Sequence, residues 1–233
     1  MTIRTVVETG STNADLLHLA SLGAREGEWL RAELQTAGRG RQGRAWQSPA
    51  GNLYASTLVR LRPGDPPAPS LALVAAVALH AVLARHLPGR AMLKWPNDVL
   101  VDGAKLSGIL LERSGDAVVI GIGVNVAHHP DLPDRRTTSL AAEGAPLDAA
   151  SLIEELAEAV ARWLQRWRGE GIDAIRRAWL AAAHPVGTAL NVRLPDGGAI
   201  DGIFDGLDAH GALVVRLADG ERRVMHAGDV FLL

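Results

Sequence analysis

A segment rich in glycine and arginine, residues 38–46 (GRGRQGRAW), constrains the fold of this chain more than any other stretch. It contains three glycines and three arginines in nine residues, and residues 34–64 contain no Asp or Glu although the net charge of the chain is −2. Glycine lets the backbone approach a ligand closely and expose its N–H groups, and arginine offers a planar fork of donors to carboxylate and phosphate oxygens. The sequence therefore predicts a loop that wraps around an anion.

Three other interpretations of this loop have different requirements. The spacing of Gly38, Gly40 and Gly43 fits the dinucleotide fingerprint G-x-G-x-x-G, but that fingerprint needs a helix directly after it. Here a turn at 47–52 and a strand-like stretch at 53–61 follow instead. A nucleic-acid patch is disfavoured because the rest of the chain shows no basic face. A solvated basic hairpin tip stays open.

The composition predicts a soluble, cytoplasmic protein with no membrane attachment. The 233 residues, 48% of them hydrophobic, suffice for one large domain or for an ordinary domain plus a small one. There is no cysteine, which excludes disulfides and thiolate metal sites. The N-terminus lacks the apolar core of a signal peptide. The most apolar run, residues 68–83, contains His80 and indicates a buried helix, not a membrane span.

Hydrophobic periodicity and turn signals divide the chain into strands and helices. The predicted strands are 3–7, 29–35, 53–61, 90–95, 99–101, 105–112 and 117–124, and the predicted helices are 14–24, about 71–86, 149–168 and 172–183. Ser11 or Thr12 is expected to cap the first helix. Asp102 and Gly103 indicate a two-residue hairpin turn, and residues 128–145 indicate a long loop.

A change of pattern at His184 and Pro185 predicts a domain boundary. Five short β segments follow, with turn signals between them. The sequence therefore predicts an α+β fold, with a larger domain at 1–185 and a small C-terminal β-barrel at 186–233.

A second polar cluster is Lys94-Trp95-Pro96-Asn97-Asp98. The proline ends the preceding strand, so the two polar residues after it stand at the exit of the strand, where side chains can point into a cleft. An ordinary Asn-Asp turn explains the same letters equally well.

Glycines within predicted core strands indicate a close approach by another group. Gly108 lies inside the strand that Lys105 opens, and a lone lysine in that position more often extends to the surface. Gly121 and Gly123 alternate along the next strand and leave one face without side chains. That space can receive a ligand or a bulky neighbour such as a tryptophan. The histidines show no ligand spacing, and no nucleophile-elbow motif is present.

Taken in order and spacing, these segments resemble the biotin protein ligases over essentially the whole chain. The matching elements are Ser11-Thr12-Asn13, Gln35, the loop 38–46, Ser48-Pro49, Gly51-Asn52-Leu53-Tyr54, Lys94 to Asp98, Lys105, Gly108-Ile109-Leu110, Gly121 to Asn125 and the C-terminal β module. The glycine–arginine loop followed by the Lys-Trp-Pro-Asn-Asp block is the most specific part.

The resemblance implies a mixed sheet with helices like that of the class II tRNA synthetases, followed by an SH3-like barrel. It also implies a two-step reaction with biotin and ATP as substrates and Mg²⁺ as metal. The biotin carboxylate attacks the α-phosphorus of ATP, which gives biotinoyl-5′-AMP and pyrophosphate, and a protein lysine then takes the biotinoyl group and releases AMP. A carboxylate is already ionised at pH 7, so the first step needs charge neutralisation and alignment and no general base.

The family's residue roles transfer to matching positions of this sequence. The residues implied to bind biotin are Ser11, Thr12, Asn13, Gln35, Arg39, Gly40, Arg41, Lys105, Gly108 and Gly123. The residues implied to face ATP are Arg41, Arg44, Trp46, Asn97, Asp98, Lys105 and Asn125. Within these sets Lys105, Arg41 and Asp98 are expected to be catalytic. Lys105 is expected to lie between the biotin carboxylate and the α-phosphate, and Asp98 is the expected Mg²⁺ ligand.

The implied partner is the acceptor lysine of a biotin carboxyl carrier domain in acetyl-CoA carboxylase or a related carboxylase. Some members of the family carry an N-terminal winged helix-turn-helix, but only about ten residues precede Ser11 here. We therefore expect no specific DNA binding. Monomer and homodimer both stay open. A lipoate ligase is disfavoured because the loop matches the biotin type. A non-enzymatic module that binds the carrier domain is disfavoured because the charged residues on the ATP side are all present.

Overall fold

A seven-stranded sheet forms the centre of the molecule. The computed structural model describes residues 2–145 and 147–233. The strands of this sheet are β1 (Thr2–Thr9), β2 (Glu28–Gln35), β3 (Leu53–Arg60), β4 (Ala91–Lys94), β5 (Asp98–Val101), β6 (Ala104–Ser114) and β7 (Ala117–Val124). Their order in space is β1-β2-β3-β7-β6-β5-β4. β1 and β2 pair in parallel and the other neighbours pair antiparallel, so the sheet is mixed.

Four helices cover the two faces of this sheet. They are α1 (Thr12–Ser21), α2 (Leu71–His86), α3 (Ala149–Glu170) and α4 (Ile172–Ala182). Ser11 caps α1, as predicted, because its hydroxyl accepts from the Ala14 N–H at 3.5 Å. α1 ends earlier than the predicted residue 24 because Gly23 adopts a left-handed φ of 95°.

The main core lies between the sheet and helices α2, α3 and α4. α2 is an almost entirely apolar helix whose residues are mostly buried, including Leu71, Val74 and Leu79. Residues Ala68–His86 have a mean hydropathy of 1.7 and are long enough to cross a membrane, but 61% of this stretch is buried inside the structure. This stretch is therefore a helix of the protein core.

The opposite face of the sheet carries α1 and a smaller apolar cluster. Leu16 and Ala20 of α1 pack there against Leu58 of β3 and Val119 of β7. Because side chains alternate along a strand, Gly121 continues the same face of β7. The sheet thus lacks a side chain directly beyond the end of this small cluster.

The C-terminal part of the chain forms a second, antiparallel sheet of five strands. These are β8 (Ala189–Arg193), β9 (Ala199–Leu207), β10 (Leu213–Arg216), β11 (Arg222–Met225) and β12 (Asp229–Leu232), in the order β11-β10-β9-β8-β12. The predicted α+β fold, with a large mixed sheet and a small C-terminal β module, is confirmed. The division into domains 1–185 and 186–233 stays a prediction.

The local turn predictions also agree with the structure. Asp102 and Gly103 connect β5 to β6 with φ values of 47° and 80°, as a two-residue hairpin with two left-handed positions requires. Residues 128–145 contain turns and isolated bridges between β7 and α3, with residue 146 outside the described part.

Candidate active site

One cavity of about 310 Å³ collects every residue for which the sequence analysis implied a contact with biotin or ATP. These residues are Ser11, Thr12, Asn13, Gln35, Arg39, Gly40, Arg41, Arg44, Trp46, Asn97, Asp98, Lys105, Gly108, Gly123 and Asn125. They lie at the start of α1 and its cap, at the end of β2, in the loop 38–46, in the β4–β5 connection, at the start of β5, in β6, and at or just after the end of β7. Their individual roles stay predictions, but the fold gathers them in one place.

The glycine–arginine loop (residues 38–46) is a small β-hairpin. Arg39 pairs with Ala45 across it, and its tip turns through left-handed positions at Gln42 and Gly43, with φ values of 57° and 72°. The next element is β3 and not a helix, so the dinucleotide-binding interpretation is excluded. The loop does form a hairpin, as the interpretation of a solvated basic hairpin tip requires.

The glycine that opens this hairpin is required by crowding. A Cβ atom on Gly38 would lie 2.5 Å from Ser48 Oγ and 2.6 Å from the Trp46 carbonyl oxygen. Backbone atoms cannot move away as a flexible side chain can, so any larger residue at position 38 would push the two arms of the hairpin apart.

The arginines at the tip of the hairpin contact other parts of the protein. The Arg41 guanidinium donates to Asn97 Oδ1 at 3.3 Å and lies 4.0 Å from Asp229. Arg44 forms an ion pair with the same aspartate. Burial lowers the pKa of Arg41, and the Asp229 charge opposes this effect. The hairpin is therefore docked onto the cavity and is not a freely solvated tip.

The glycines of β6 and β7 receive side chains of the protein itself. A Cβ atom on Gly121 would collide with the Asn13 side chain, and one on Gly123 would lie 2.7 Å from the Trp46 ring. The same indole ring lies 3.0 Å from the corresponding position on Gly108. The sequence allowed either a ligand or a bulky side chain in this space, and the structure shows side chains there. Gly108 and Gly123 nevertheless line the cavity beside those side chains.

One region of the cavity presents uncharged polar groups. The Thr12 N–H donates to Gln35 Oε1 at 2.9 Å, and Gln35 Nε2 donates to Ser48 Oγ at 3.1 Å. The Ser48 hydroxyl then donates to the carbonyl oxygen of Trp46 at 2.9 Å, while Ser11 caps α1 beside them. These groups can hydrogen-bond a neutral polar ring, and the chain of bonds fixes their positions.

Another region of the cavity contains a buried carboxylate between two lysines. Lys105 Nζ lies 2.6 Å from Asp98 Oδ1, and Lys94 Nζ lies 3.2 Å from Oδ2. Burial acts to raise the pKa of Asp98, but the two lysine charges outweigh it and lower that pKa to about 2. Burial lowers the pKa of Lys94, and Asp98 opposes this shift. The triad carries a net positive charge where it faces the cavity.

Two asparagines link the cavity to neighbouring backbone. Asn97 Nδ2 donates to the Ile109 carbonyl at 2.6 Å, which fixes the β4–β5 connection on β6. Asn125 Nδ2 donates to the Thr138 carbonyl at 2.9 Å and so ties the end of β7 to the loop after it. Both amides are therefore oriented by the protein before any ligand enters.

The donor set fits a magnesium ion held mainly by its substrate. Within residues 2–145 and 147–233, no group of three or more His, Cys, Asp or Glu is arranged to hold a metal. Asp98 Oδ1 contacts Lys105 but has no hydrogen bond of ordinary geometry. A single carboxylate oxygen with spare capacity suits Mg²⁺, which commonly takes one or two carboxylates and completes its shell with water and phosphate oxygens.

Several residues at or behind this cavity were not predicted from the sequence, among them three polar ones. Asp229 and Arg135 line it, and Ser56 lies behind the wall formed by Thr12. Asp229 stands almost two hundred residues beyond the loop whose arginines it contacts, without a motif to join them. The alternation of residues along β3 predicts that Ser56 faces inward. That pattern alone does not show whether its hydroxyl belongs to a polar network or is an isolated hydroxyl in the core.

The fold and the cavity define an α+β protein whose ligand site joins a neutral polar region to a cationic one. Residues 9–125 match the biotin/lipoate A/B protein ligase family, and residues 190–233 match the biotin protein ligase C-terminal domain. A biotin–[acetyl-CoA-carboxylase] ligase of Paracoccus denitrificans is 40% identical, over 97% of this chain and 98% of its own length. The chain belongs to the biotin/lipoate A/B protein ligase family.

Solved structures agree with this assignment. The biotin protein ligase of Aquifex aeolicus in complex with biotin and ATP superimposes with a TM-score of 0.84 at 26% identity, covering 100% of this chain and 98% of the other. The biotin protein ligase of Leishmania major in complex with biotinyl-5-AMP has a TM-score of 0.69 at 28% identity, covering 97% of this chain and 99% of the other.

Proposed function

We propose that this chain is an ATP-dependent biotin protein ligase, which activates biotin as biotinoyl-5′-AMP and transfers it to a lysine of a biotin carboxyl carrier domain. The observation that carries the proposal is the single cavity in which the neutral polar groups around Thr12 and Gln35 meet the cationic groups Arg41 and Lys105. The first set suits a ureido ring and the second suits a carboxylate next to a phosphate. Biotin carries both a ureido ring and a carboxylate, and ATP bound beside it supplies the phosphate.

In the first step a biotin carboxylate oxygen forms a bond to the α-phosphorus of ATP, and the bond from that phosphorus to the pyrophosphate oxygen breaks. No proton has to be removed from the nucleophile. The work of the protein is to bring two anions together and to stabilise the charge on the transferring phosphoryl group. Lys105 is proposed to neutralise charge between the two anions, and Arg41 and Arg44 to hold the phosphates.

Asp98 has two proposed tasks in this step. Its ionised carboxylate holds Lys105 and Lys94 in fixed positions, at 2.6 Å and 3.2 Å. Its Oδ1 atom is also the proposed protein ligand for Mg²⁺, which would supply further charge neutralisation to the triphosphate. The other residues need only position and desolvate the reacting groups.

In the second step the neutral amine of the acceptor lysine attacks the biotinoyl carbonyl carbon, the carbon–oxygen bond to AMP breaks, and the nitrogen releases a proton to solvent as the amide forms. We infer that the acceptor belongs to a carboxylase carrier domain, because the curated relatives are biotin–[acetyl-CoA-carboxylase] ligases. We further propose a cytoplasmic location, no specific DNA binding and no membrane attachment. Monomeric and dimeric forms are both compatible with this mechanism.

ATP–pyrophosphate exchange tests the proposal directly. Exchange is measured with biotin, with lipoate and with neither, on one preparation of the enzyme. We expect exchange with biotin and close to the blank rate with lipoate. Exchange supported by lipoate would identify a lipoate ligase, and no exchange with either acid would leave a module that binds carrier domains without activating them. Addition of a purified carrier domain should then convert adenylate into biotinylated protein, as seen by a mass increase.

A further inference from the structure

Ser56 occupies the middle of β3 behind the neutral region of the cavity. It is fully buried, and its hydroxyl oxygen lies 2.6 Å from Asn13 Oδ1 and 2.8 Å from Thr12 Oγ1. Both of these residues line the cavity, and Ser56 touches the cavity through them. A hydroxyl group has a single hydrogen to donate, so the two contacts cannot both use it.

The surroundings of Asn13 decide where that hydrogen goes. Asn13 Nδ2 lies 2.8 Å from Glu112 Oε2 and 3.4 Å from the Leu110 carbonyl oxygen. Both partners are acceptors, so the amide nitrogen must face them and the amide oxygen must face Ser56. The Ser56 hydrogen therefore points to Asn13 Oδ1.

The direction of the Thr12 hydroxyl hydrogen follows from the commitment of the Ser56 hydrogen. Because the Ser56 hydrogen is already committed, the contact of 2.8 Å requires Thr12 to donate to Ser56 Oγ. Gln35 Oε1 accepts from the Thr12 N–H at 2.9 Å and also lies 3.1 Å from Thr12 Oγ1. Two hydroxyl hydrogens thus serve three oxygen–oxygen contacts. The contact between Thr12 Oγ1 and Gln35 Oε1 is the one that is left with two acceptors and no hydrogen.

We propose that Ser56 is a positioning residue for recognition of the ligand ring. Through its bond to Asn13 it turns the Thr12 hydroxyl hydrogen inward, so that Thr12 presents a lone pair to the cavity. A ligand N–H at this point supplies the hydrogen that the pair of acceptors lacks. The inference rests on the proposed function, since the ureido ring of biotin carries such N–H groups. A ring without a donor, such as the dithiolane of lipoate, leaves the acceptors unpaired.

The test compares biotin with its two cyclic carbamate analogues, in each of which an oxygen replaces one ureido N–H. Calorimetry gives the affinity of each ligand for the wild type and for Ser56→Ala. In the variant the Thr12 hydroxyl is free to donate to Gln35 Oε1, and its lone pair no longer has a fixed direction. We expect biotin to bind about tenfold more weakly, with a much smaller loss for one of the two carbamates, because that ligand never made the bond to Thr12.

Two further variants separate positioning from general damage. Asn13→Ala keeps the Ser56 hydroxyl but removes its acceptor, so the hydrogen of Ser56 turns to Thr12 and the same loss of preference for biotin is expected. Thr57→Ala is the matched control: this neighbour on β3 is equally buried, but its hydroxyl donates to the Glu28 carbonyl at 3.1 Å on the other face. We expect Thr57→Ala to retain the preference of the wild type.

The melting temperature of each protein is recorded, so that a change in ligand preference can be distinguished from a loss of folding. Equal weakening of biotin and of both carbamates in Ser56→Ala and Asn13→Ala would show a structural role only and would overturn the inference. A wild type that binds no biotin would overturn the proposed function as well. If Ser56→Ala does not fold, the preference measured in Asn13→Ala decides alone.

Discussion

Arg44, at the tip of the glycine–arginine loop, forms an ion pair with Asp229 on the last strand of the C-terminal sheet. The same carboxylate lies 4.0 Å from Arg41. Lys94, at the end of β4, also reaches this strand, where it donates to the Val230 carbonyl at 2.9 Å. The second sheet therefore forms part of the cavity wall and orients residues that are proposed to bind ATP.

Replacement of this carboxylate should affect ATP more than biotin. In Asp229→Ala the two arginines lose the group that holds them in place, so we expect the KM for ATP to rise severalfold while biotin affinity changes little. The effect is modest because the Arg44 side chain is 47% exposed and solvent screens the pair. Pyrophosphate exchange at varied ATP concentration and calorimetry with biotin check both parts.

Glu221→Ala provides the matched control for this experiment. Glu221, directly before β11, forms an exposed ion pair at 3.6 Å with Arg223 of that strand. An unchanged KM for ATP in Asp229→Ala, or an equal change in both variants, would contradict a specific role for Asp229.

Asp98 should be important for stability as well as for chemistry. Asp98→Asn leaves Lys94 and Lys105 buried without a counter-charge, which typically destabilises a protein by about 3–5 kcal/mol. Urea unfolding measures this difference. Asp116→Asn is the control, because Asp116 pairs with Arg60 at 3.1 Å but is largely exposed, and about 0–1 kcal/mol is expected there. A similar small loss in both variants would show that the triad is effectively solvated.

The pH dependence of the same variant follows from the low pKa of Asp98. The pKa is lowered from 3.8 to about 2 in the folded state, so the stabilisation from this carboxylate is complete above pH 4 and is lost as the pH falls toward 2. The difference in stability between wild type and Asp98→Asn should therefore shrink as the pH falls from 4 toward 2. A difference that stays constant down to pH 2 would contradict the lowered pKa of Asp98.

The buried side chain of His184 should cause a separate loss of stability in mild acid. The centroid of its ring lies 4.3 Å from that of the Phe204 ring, and neither ring nitrogen has a hydrogen-bond partner in the described part of the chain. Burial lowers the pKa of His184 from 6.5 to about 4. In the unfolded state His184 is protonated below pH 6.5, but in the folded state it stays neutral down to about pH 4. The stability of the protein therefore falls as the pH decreases from 6.5 to about 4. The full loss is about 3 kcal/mol.

His184→Phe removes the titrating group and keeps an aromatic ring beside Phe204. Urea unfolding of both proteins at pH 7.5 and at pH 4.5 isolates the contribution of the imidazole, because all other groups are common to the two. We expect the wild type to lose more stability than the variant between these pH values. Parallel losses would mean that the imidazole is protonated in the folded state without penalty.

The elements of the fold could be predicted because local signals agreed with the tertiary structure. Ser11 capped α1, Asp102 and Gly103 formed the expected hairpin, and the apolar run of α2 became the buried core helix. Errors were confined to a few residues at element ends, as at Gly23, where a backbone conformation and not a hydrophobic pattern ends the helix.

The site was predictable as a set of residues but not as an arrangement. The glycines and arginines of the loop indicate anion binding by their residue types, whereas the role of Lys105 was implied only by the resemblance to the biotin protein ligases. Asp229 and Ser56 act through partners far along the chain, and only the register of the sheets brings them together. Likewise, the space above Gly121 and Gly123 was foreseen, whereas its occupation by Asn13 and Trp46 depends on how α1 and the hairpin dock on the sheet.

Lys105 provides the sharpest test of the proposed chemistry. Its ammonium group lies 2.6 Å from Asp98 and 5.6 Å from the Trp46 ring centre, so it is enclosed in the cavity and does not extend to the surface. Lys105→Gln retains much of the length but removes the charge that is proposed to stabilise the phosphoryl transfer. We expect adenylation to fall by about 10²–10³, which corresponds to about 3–4 kcal/mol of transition-state stabilisation. Biotin affinity should fall less, because the ring is held by other residues.

Lys94→Gln distinguishes loss of this charge from an imbalance at Asp98. Lys94 contacts the same carboxylate at 3.2 Å, but its other bond goes to the Val230 carbonyl of the C-terminal sheet. Pyrophosphate exchange, biotin calorimetry and melting temperature are measured on both variants and the wild type. We expect Lys94→Gln to lower stability more than the adenylation rate, and Lys105→Gln to do the reverse. A folded Lys105→Gln enzyme that adenylates biotin at nearly the wild-type rate would remove Lys105 from the mechanism and leave it as a structural partner of Asp98.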